Sequence, residues 1–265
     1  MINPLFIWIS LASWILIATL IAYVAKKGMG KGVSEFFIGG RRLSGFISGM
    51  TYSATTYSAF MLVGLVGLTY QSGVGALGFE MTYLIFTVLL LVLFAPRFWV
   101  AGNKFNYLTP PELLAGRYDN KWAGIISAII SLVMLIPYSS VQLMGIGILV
   151  NGLSGGEIPY YMGIIVMALF SCFAALWAGM RSVSWTDAFQ AITMLITALI
   201  ALFYIIFHFF GTPVDFFIDI TKFHPDLLQL NWSPQLFIGL ALPWAFFALT
   251  NPQVSQRMFV PNSVN

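Results

Sequence analysis

Long apolar runs recur along the whole sequence, and they constrain its fold more than any other feature. Each run contains about 20 residues, the length that a helix needs to cross the hydrocarbon core of a bilayer. The chain has 265 residues, of which 59% are hydrophobic and only 8% are charged, whereas soluble domains contain about 25% charged residues. A membrane β-barrel would instead show short segments of alternating hydrophobicity. The sequence therefore predicts an all-α polytopic membrane protein.

The distribution of charge predicts how the helices are oriented. Seven spans can be drawn, with the approximate ranges 4–25, 44–71, 75–97, 122–150, 159–180, 185–210 and 234–259. All Lys and Arg residues except Lys222 then fall at one end of the helices, and Lys222 lies beside Asp215, Asp219 and Asp226 at the other end. Because Lys and Arg accumulate in cytoplasmic loops, we expect an outside N-terminus and an inside C-terminus, which an odd number of spans allows.

The second predicted span is unusually polar. Residues 50–58 read MTYSATTYS and carry seven hydroxyl side chains in nine positions. Single hydroxyls in membrane helices often bond only to the carbonyl four residues earlier, or pack at helix contacts. A cluster this dense, with glycines nearby, favours a site that binds an ion or a solute.

The seventh predicted span contains Pro243 and Pro252. Proline removes a backbone donor and opens the hydrogen-bond ladder of a helix, and the freed carbonyls need partners in lipid. Interrupted helices whose carbonyls coordinate cations are a recurring feature of secondary transporters. We therefore expect interruptions in the second and seventh spans, with the hydroxyls lining the first.

The sequence does not indicate an enzyme. His208 and His224 lack metal-ligand spacing, and Cys172 is the single cysteine. No phosphate-binding glycine loop supports ATP-driven pumping, and no nucleophile–base pair can be assembled. With basic residues placed by membrane topology, no nucleic-acid partner is expected.

Four segments, in order, resemble motifs of the sodium:solute symporter family, which includes proline and pantothenate permeases and sodium–sugar cotransporters. They are FFIGGRRLSGFISGMTYSATTYSAF, LTPPELLAGRY, WAGMRSVSWTDAFQ and NPQVSQRMF. The resemblance implies an inverted-repeat, LeuT-like core of five plus five helices. It divides the chain into a first span with a basic cytoplasmic loop (1–43), the first five-helix repeat (44–211), an extracellular loop (212–233) and the first helix of the second repeat (234–265). The rest of the second repeat is absent.

The resemblance also implies binding residues. Sodium, the coupling ion, would bind the backbone carbonyls near Ala54 and Tyr57, with Thr56 and Ser58 as polar side chains for ion or solute. Trp244 matches a solute-site tryptophan. Proline permeases carry aspartate at the position of Thr56 and tyrosine at that of Ala248, so both departures argue against proline as the solute.

Two further spans contain candidate solute ligands. Glu80 lies about 9 Å along a helix that begins near Val74, where a carboxylate is costly unless it faces a cavity or a partner. It matches an acidic residue of sodium–sugar cotransporters, although it could instead reach the outer interface or a neighbouring helix. Tyr138 and Gln142 are predicted to face the solute, with interhelical hydrogen bonding as the alternative for Gln142.

Arg41 and Asp187 are candidates for cytoplasmic gating. Arg41, with Arg42, also serves as a topology determinant. Asp187 has a structural alternative, because Ser184 could be the N-cap of the following helix and a carboxylate near a helix start suits the macrodipole.

The sequence thus predicts the N-terminal half of a plasma-membrane symporter. It would import a small polar organic solute, with a carboxylate or amino-acid type favoured, by coupling to Na⁺. Its expected partners are the solute, the lipid bilayer and the missing C-terminal half. The alternatives are a non-transporting sensor or scaffold with a symporter-like fold and an inactive truncated transporter.

Overall fold

The computed structural model describes residues 2–28, 30–58 and 60–263, and these residues form helices joined by short connections. Ala59, in the second predicted span, and residues 264–265 of the last predicted unit lie outside the described residues. The first half contains α1 (Pro4–Lys26), α2 (Val33–Ile38), α3 (Gly45–Thr56), α4 (Leu65–Ser72), α5 (Val74–Phe105), α6 (Pro110–Arg117) and α7 (Lys121–Leu153). A 3₁₀ turn (Gly39–Arg41) follows α2, and a π-helical turn (Phe60–Gly64) precedes α4.

The second half begins with two helices that meet at a sharp turn at Gly179, here labelled together, and ends in short helical pieces. It contains α8 (Tyr160–Ile205), α9 (Pro213–Phe223), α10 (Pro234–Ala245), α11 (Phe247–Thr250) and α12 (Pro252–Ser255). A π-helical turn (Ile206–Phe210) extends α8, and 3₁₀ turns occupy Pro225–Leu228 and Gln256–Phe259. Several helices begin with a capping side chain that accepts a backbone N–H, namely Asn3, Thr109, Asn120, Thr212 and Ser233.

Six segments among the described residues are long and apolar enough to cross a membrane. They are Pro4–Lys26, Val74–Phe105, Lys121–Leu153, Tyr160–Trp177, Gly179–Phe210 and Pro234–Phe259. The second predicted span is missing from this set because it is divided into α3, the π-helical turn and α4. The fold is therefore that of an all-α, multi-pass integral membrane protein, as predicted.

Both spans that the sequence marks as unusual are interrupted in the structure. Helix α3 ends at Thr56, and Tyr57 is extended with φ −71° and ψ 102°. The seventh span breaks after Ala245 and again at Asn251, which is extended immediately before Pro252. The prediction of two interrupted helices is confirmed.

The predicted loop at residues 180–184 between the fifth and sixth spans is wrong. Those residues are helical, and the chain turns at Gly179 alone, with φ 62° and ψ 178° inside α8. Only glycine adopts this conformation readily. Ser184 therefore lies within a helix and is not an N-cap, so the capping alternative for Asp187 is also wrong.

Few large apolar side chains are buried within the described part of the chain. One core cluster consists of Ile38, Leu43, Ile47, Ala188, Phe259 and Val260. A second, at the opposite end of the helices, joins Ile7, Val150 and Ile158. Most other large apolar residues are exposed, as expected for helices whose outer surfaces contact lipid and whose backbone bonds are satisfied internally.

Hydrogen bonds close the end of the helix bundle that carries most of the basic residues, which we call the basic end. Arg41 donates from Nη2 to the carbonyls of Gly102 (2.5 Å) and Tyr107 (2.9 Å), at the C-terminal end of α5. Trp99 donates to the Pro261 carbonyl at 2.8 Å. Leu43 and Pro261 form a parallel bridge, so the segment before α3 is attached to the segment after α12.

We expect Arg41→Ala to lower the stability of the bundle. The substitution removes charge-assisted hydrogen bonds to two carbonyls, and bonds of this kind contribute about 1.5–3 kcal/mol each. The free energy of unfolding in mixed micelles should fall by about 2 kcal/mol or more. Arg42→Ala is the matched control, because the neighbouring Arg42 is exposed. Equal stability of the two variants would contradict this role of Arg41.

Candidate functional site

The break after α3 interrupts the hydrogen-bond ladder of the helix. In a continuing helix, the Ser58 N–H would donate to the Ala54 carbonyl. These two residues do not form that bond, and the next backbone bond in the described chain runs from Met61 to Ser58. The Tyr57 N–H still donates to the Ser53 carbonyl at 2.8 Å. The Ala54 carbonyl therefore ends the regular helix without the amide donor that would normally satisfy it.

The hydroxyls around this break differ in their partners. Thr55 and Thr56 donate to the carbonyls four residues earlier, at 2.7 and 2.8 Å. A hydroxyl that donates its hydrogen in this way retains oxygen lone pairs that can accept or coordinate. Thr56 thus donates a hydrogen bond to its own helix, as the structural alternative predicts. The lone pairs of its hydroxyl oxygen remain available at the end of α3.

A group of polar and aromatic side chains surrounds Tyr83 on α5. Tyr83 lies close enough to Tyr52, Tyr57, Glu80 and Tyr138 to interact with them electrostatically. Tyr138 in turn interacts with Gln253. We call the set Tyr52, Glu80, Tyr83, Thr87, Tyr138, Trp244 and Gln253 the Tyr83 cluster. It draws residues from α3, α5, α7, α10 and α12, so both interrupted spans contribute to it.

Several polar side chains of the Tyr83 cluster are buried. The Tyr52 hydroxyl and Glu80 Oε1 have no hydrogen-bond partner within the described part of the chain, whereas the Tyr83 hydroxyl interacts with Thr87 and the Gln253 amide interacts with Tyr138. An unpaired buried polar atom costs about 1–3 kcal/mol, and native structures contain few of them. Their concentration in one place is the pattern of a site that receives a polar ligand or water.

The aromatic side of this cluster is formed by Trp244. Its ring meets Tyr83 edge-on at 5.5 Å and Phe79 at 5.9 Å, and it stacks on Phe247 at 5.2 Å. Edge-on rings at these separations are a favoured geometry for aromatic pairs. Trp244 therefore joins α10 to α5 next to the unpaired polar atoms.

A cavity of about 600 Å³ opens on another side of the break. Its polar wall contains Tyr57, Ser58, Gln142, Thr186 and Asp187, while α1 and the first part of α8 supply an apolar wall. Cavities of roughly 300–1,000 Å³ hold small molecules in proteins. Tyr57 lines this cavity and also lies near Tyr83, so the break adjoins both the cavity and the Tyr83 cluster.

Asp187, which lines this cavity, connects three segments of the chain. Its Oδ2 accepts from Thr51 Oγ1 of α3 at 2.5 Å and from Arg257 Nη2 at 3.2 Å. Arg257 also donates from Nε to Thr55 Oγ1 at 3.2 Å. The side chains of Arg257 and Asp187 are only 12% and 15% exposed, so this is a largely buried ion pair.

A comparison with protein families identifies the chain. The model of the sodium:solute symporter family matches residues 36–261. The chain belongs to the sodium:solute symporter family. The matched range contains the α3 break, the Tyr83 cluster, the polar wall of the cavity and the Asp187–Arg257 pair.

Relatives of this chain include named transporters. It is 28% identical over 258 residues to the sodium/proline symporter of Staphylococcus aureus, covering 94% of this chain and 49% of the relative. It is 27% identical over 177 residues to the sodium/pantothenate symporter of Escherichia coli, covering 67% and 36%. An uncharacterized symporter of Bacillus subtilis, YhjB, is 23% identical over 221 residues, covering 83% and 45%. The chain thus spans about half the length of the curated relatives it matches.

Within this family member, the structure distributes the residues predicted from the sequence over two groups. Glu80, Tyr138 and Trp244 belong to the Tyr83 cluster, whereas Ser58, Gln142 and Asp187 line the cavity. Ala54 and Thr56 lie in the last turn of α3, and Tyr57 adjoins both groups. Arg41 bonds to the end of α5 and does not belong to either group. No ligand tests these roles, so they stay predictions.

Sequence reasoning missed several members of the site. Tyr83 and Thr87 follow the predicted Glu80 at helical spacing of three and four residues, so all three share one face of α5. That pattern was available in the sequence and points to a polar stripe on an otherwise apolar span. Gln253, next to Pro252, and Arg257 carried no such signal, because their partners lie on helices distant in the chain.

Breaking the Asp187–Arg257 pair should strongly destabilise the bundle. Asp187→Asn leaves Arg257 buried without its counter-charge, and removing one partner of a buried pair costs about 3–5 kcal/mol. The double variant Asp187→Asn/Arg257→Gln should recover part of the loss. The free energy of unfolding in mixed micelles measures both effects.

Asp226→Asn provides the control for this prediction, because Asp226 is exposed and its replacement should change stability by no more than about 0.5 kcal/mol. If Asp187→Asn is as stable as the Asp226→Asn protein, the buried pair does not hold the three segments together.

Proposed function

We propose that the polypeptide containing this chain is a sodium-coupled symporter that imports a small polar organic solute. The observation that carries the proposal is the group of buried polar side chains in the Tyr83 cluster, of which Tyr52 and Glu80 have an unpaired atom within the described part of the chain, next to the interrupted end of α3. A stable apolar bundle has no need of such groups, since each lowers its stability. Family membership supports the coupling to sodium.

Sodium would bind at the break in α3. The Ala54 and Tyr57 carbonyls and the Thr56 and Ser58 hydroxyl oxygens provide hard oxygen ligands, which suit alkali and alkaline-earth cations. The Ser58 N–H does not compete for the Ala54 carbonyl, because the regular helix ladder stops there. The remaining ligands would come from the second repeat, since the chain spans about half of its relatives' length.

The solute would contact the Tyr83 cluster and the polar wall of the cavity. Trp244 offers an aromatic face, Glu80 accepts hydrogen bonds from ammonium or hydroxyl groups, and Tyr138 and Gln142 donate and accept. A solute carboxylate would be attracted to the sodium ion at the break. An amino acid, or a hydroxylated carboxylate such as pantothenate, combines these features, and relatives are named for proline and pantothenate.

The Asp187–Arg257 pair would close the cytoplasmic side. It joins α3, α8 and the segment after α12, and these must separate for sodium and solute to leave at the basic end. A charge pair is suited to a gate, because water entering between the helices solvates both ions as the direct contact breaks. Arg41 would act indirectly by fixing the end of α5.

A non-transporting sensor with the same fold is the second candidate function. It would retain a binding site for the same solute but would show no net flux of solute. Sodium-dependent uptake into proteoliposomes by the polypeptide that contains both repeats separates the two. Accumulation of solute above its external concentration, only with an inward sodium gradient, supports symport.

Thr56→Val and Ser58→Ala should each weaken the use of sodium. Loss of one oxygen ligand is expected to raise the sodium concentration for half-maximal uptake about tenfold, equivalent to about 1.4 kcal/mol. Thr69→Val is a matched control, because Thr69 also bonds to a carbonyl four residues earlier but lies on α4, away from the break. An unchanged sodium dependence in both test variants would remove the side chains from the ion site.

Glu80→Gln should weaken solute binding without abolishing sodium dependence. Replacing the carboxylate by an amide removes a charged acceptor, and hydrogen bonds to charged groups contribute about 1.5–3 kcal/mol. The KM for the solute should therefore rise about tenfold or more. Glu157→Gln is the control, since Glu157 is exposed in the loop between α7 and α8. A KM equal to that of the control would exclude Glu80 from the solute site.

A further inference from the structure

A groove separate from the proposed transport site lies between α1 and the part of α8 that follows Gly179. It has a volume of about 510 Å³, and its lining includes Leu20, Ile21, Val24, Arg181 and Trp185. Arg181 and Trp185 are one helical turn apart on α8, so they face the same side. None of these residues lines the cavity beside the break in α3.

The charge of Arg181 has no counter-charge within the described part of the chain. The ion pair formed there joins Arg257 to Asp187, and Arg181 Nε is buried without a hydrogen-bond partner. Its guanidinium packs against Gly28, where Nη2 lies 3.0 Å from the position that a Cβ would take. The nearby acid Glu35 lies against Gly30 and Gly40 and forms no ion pair with Arg181.

The rest of the groove is apolar and continuous with the outer surface of α1. Leu20 and Val24 are 54% and 66% exposed, and Leu16 and Ile17 on the preceding turn are exposed as well. Trp185 is 43% exposed and lies one helical turn after Arg181. Helix α1 is long and apolar enough to cross the membrane. We therefore expect this surface to contact acyl chains beside the groove.

The walls of the groove are fixed in place by a buried hydrogen bond. Ser182, which is fully buried, donates to the Ala22 carbonyl of α1 at 2.9 Å. Nearby, Lys26 Nζ lies 4.6 Å from the Trp177 ring centre, and Lys27 Nζ lies 4.8 Å from that of Tyr23. Trp177 lines the cavity beside the break in α3, whereas Arg181 and Trp185 supply the charge and the aromatic ring of the groove itself.

We propose that this groove binds an anionic phospholipid of the cytoplasmic leaflet. The headgroup phosphate would pair with the Arg181 guanidinium, and one acyl chain would lie along Leu20, Ile21 and Val24. Basic pockets between membrane helices at the cytoplasmic side are suited to anionic headgroups. Charge complementarity and continuity with the lipid-facing surface of α1 favour a lipid over a protein segment as the occupant.

Native mass spectrometry of the full polypeptide, released from nanodiscs of mixed phosphatidylglycerol and phosphatidylcholine, tests the proposal. Wild type should retain phosphatidylglycerol preferentially. Arg181→Gln should reduce that retention about fivefold, the factor equivalent to about 1 kcal/mol per basic residue, and Arg181→Lys should retain most of it. Arg117→Gln removes an exposed charge from the same basic end, outside the groove, and should bind lipid as wild type does.

Two further measurements keep the test decisive. Thermal unfolding in pure phosphatidylcholine shows whether Arg181→Gln is folded, and added phosphatidylglycerol should then raise the melting temperature of wild type more than that of this variant. A photoreactive side chain at Ile21 should crosslink to lipid. Equal lipid retention in the Arg181 and Arg117 variants, or crosslinking of Ile21 to protein in place of lipid, would overturn the proposal.

Discussion

The buried carboxylate of Asp187 is the constraint on which the rest of the helix arrangement depends. A charge in the interior of a membrane protein is costly unless it is paired and hydrogen-bonded. Thr51 and Arg257 satisfy it from two different segments. The positions of α3 and of the chain after α12 relative to α8 are thus set by one side chain. The parallel bridge between Leu43 and Pro261 follows from the same arrangement.

Around Tyr83, in contrast, polar side chains are buried and some of their atoms lack a hydrogen-bond partner within the described part of the chain. The bundle satisfies its most costly group, a full charge, whereas the Tyr52 hydroxyl and Glu80 Oε1 are buried without a partner within the described part of the chain. Both breaks in the backbone adjoin those unpaired atoms. A transporter requires polar groups in its middle that can accept a ligand. It also requires contacts near one end that hold until the ligand is released.

Much of this was predictable from sequence, and the failures have clear physical causes. Hydropathy gave the spans, and the hydroxyl run and Pro243 and Pro252 gave the two interruptions, because these signals are local. The predicted loop at 180–184 failed because a single glycine, Gly179, redirects the chain without any polar connection. The partners of Arg41 and Asp187 lie at least 61 residues away in the chain. Periodicity cannot reveal such pairings.

The pairing of Asp187 with Arg257 also has a consequence for biosynthesis. The two residues are separated by 70 positions, and chains are synthesised at about 5–20 residues per second, so Arg257 follows Asp187 by roughly 4–14 s. During that interval the helix bearing Asp187 has no counter-charge from α12 and its flanking turn. It must therefore wait beside water or within the insertion machinery, and final assembly of the first helices is delayed until the seventh span has been made.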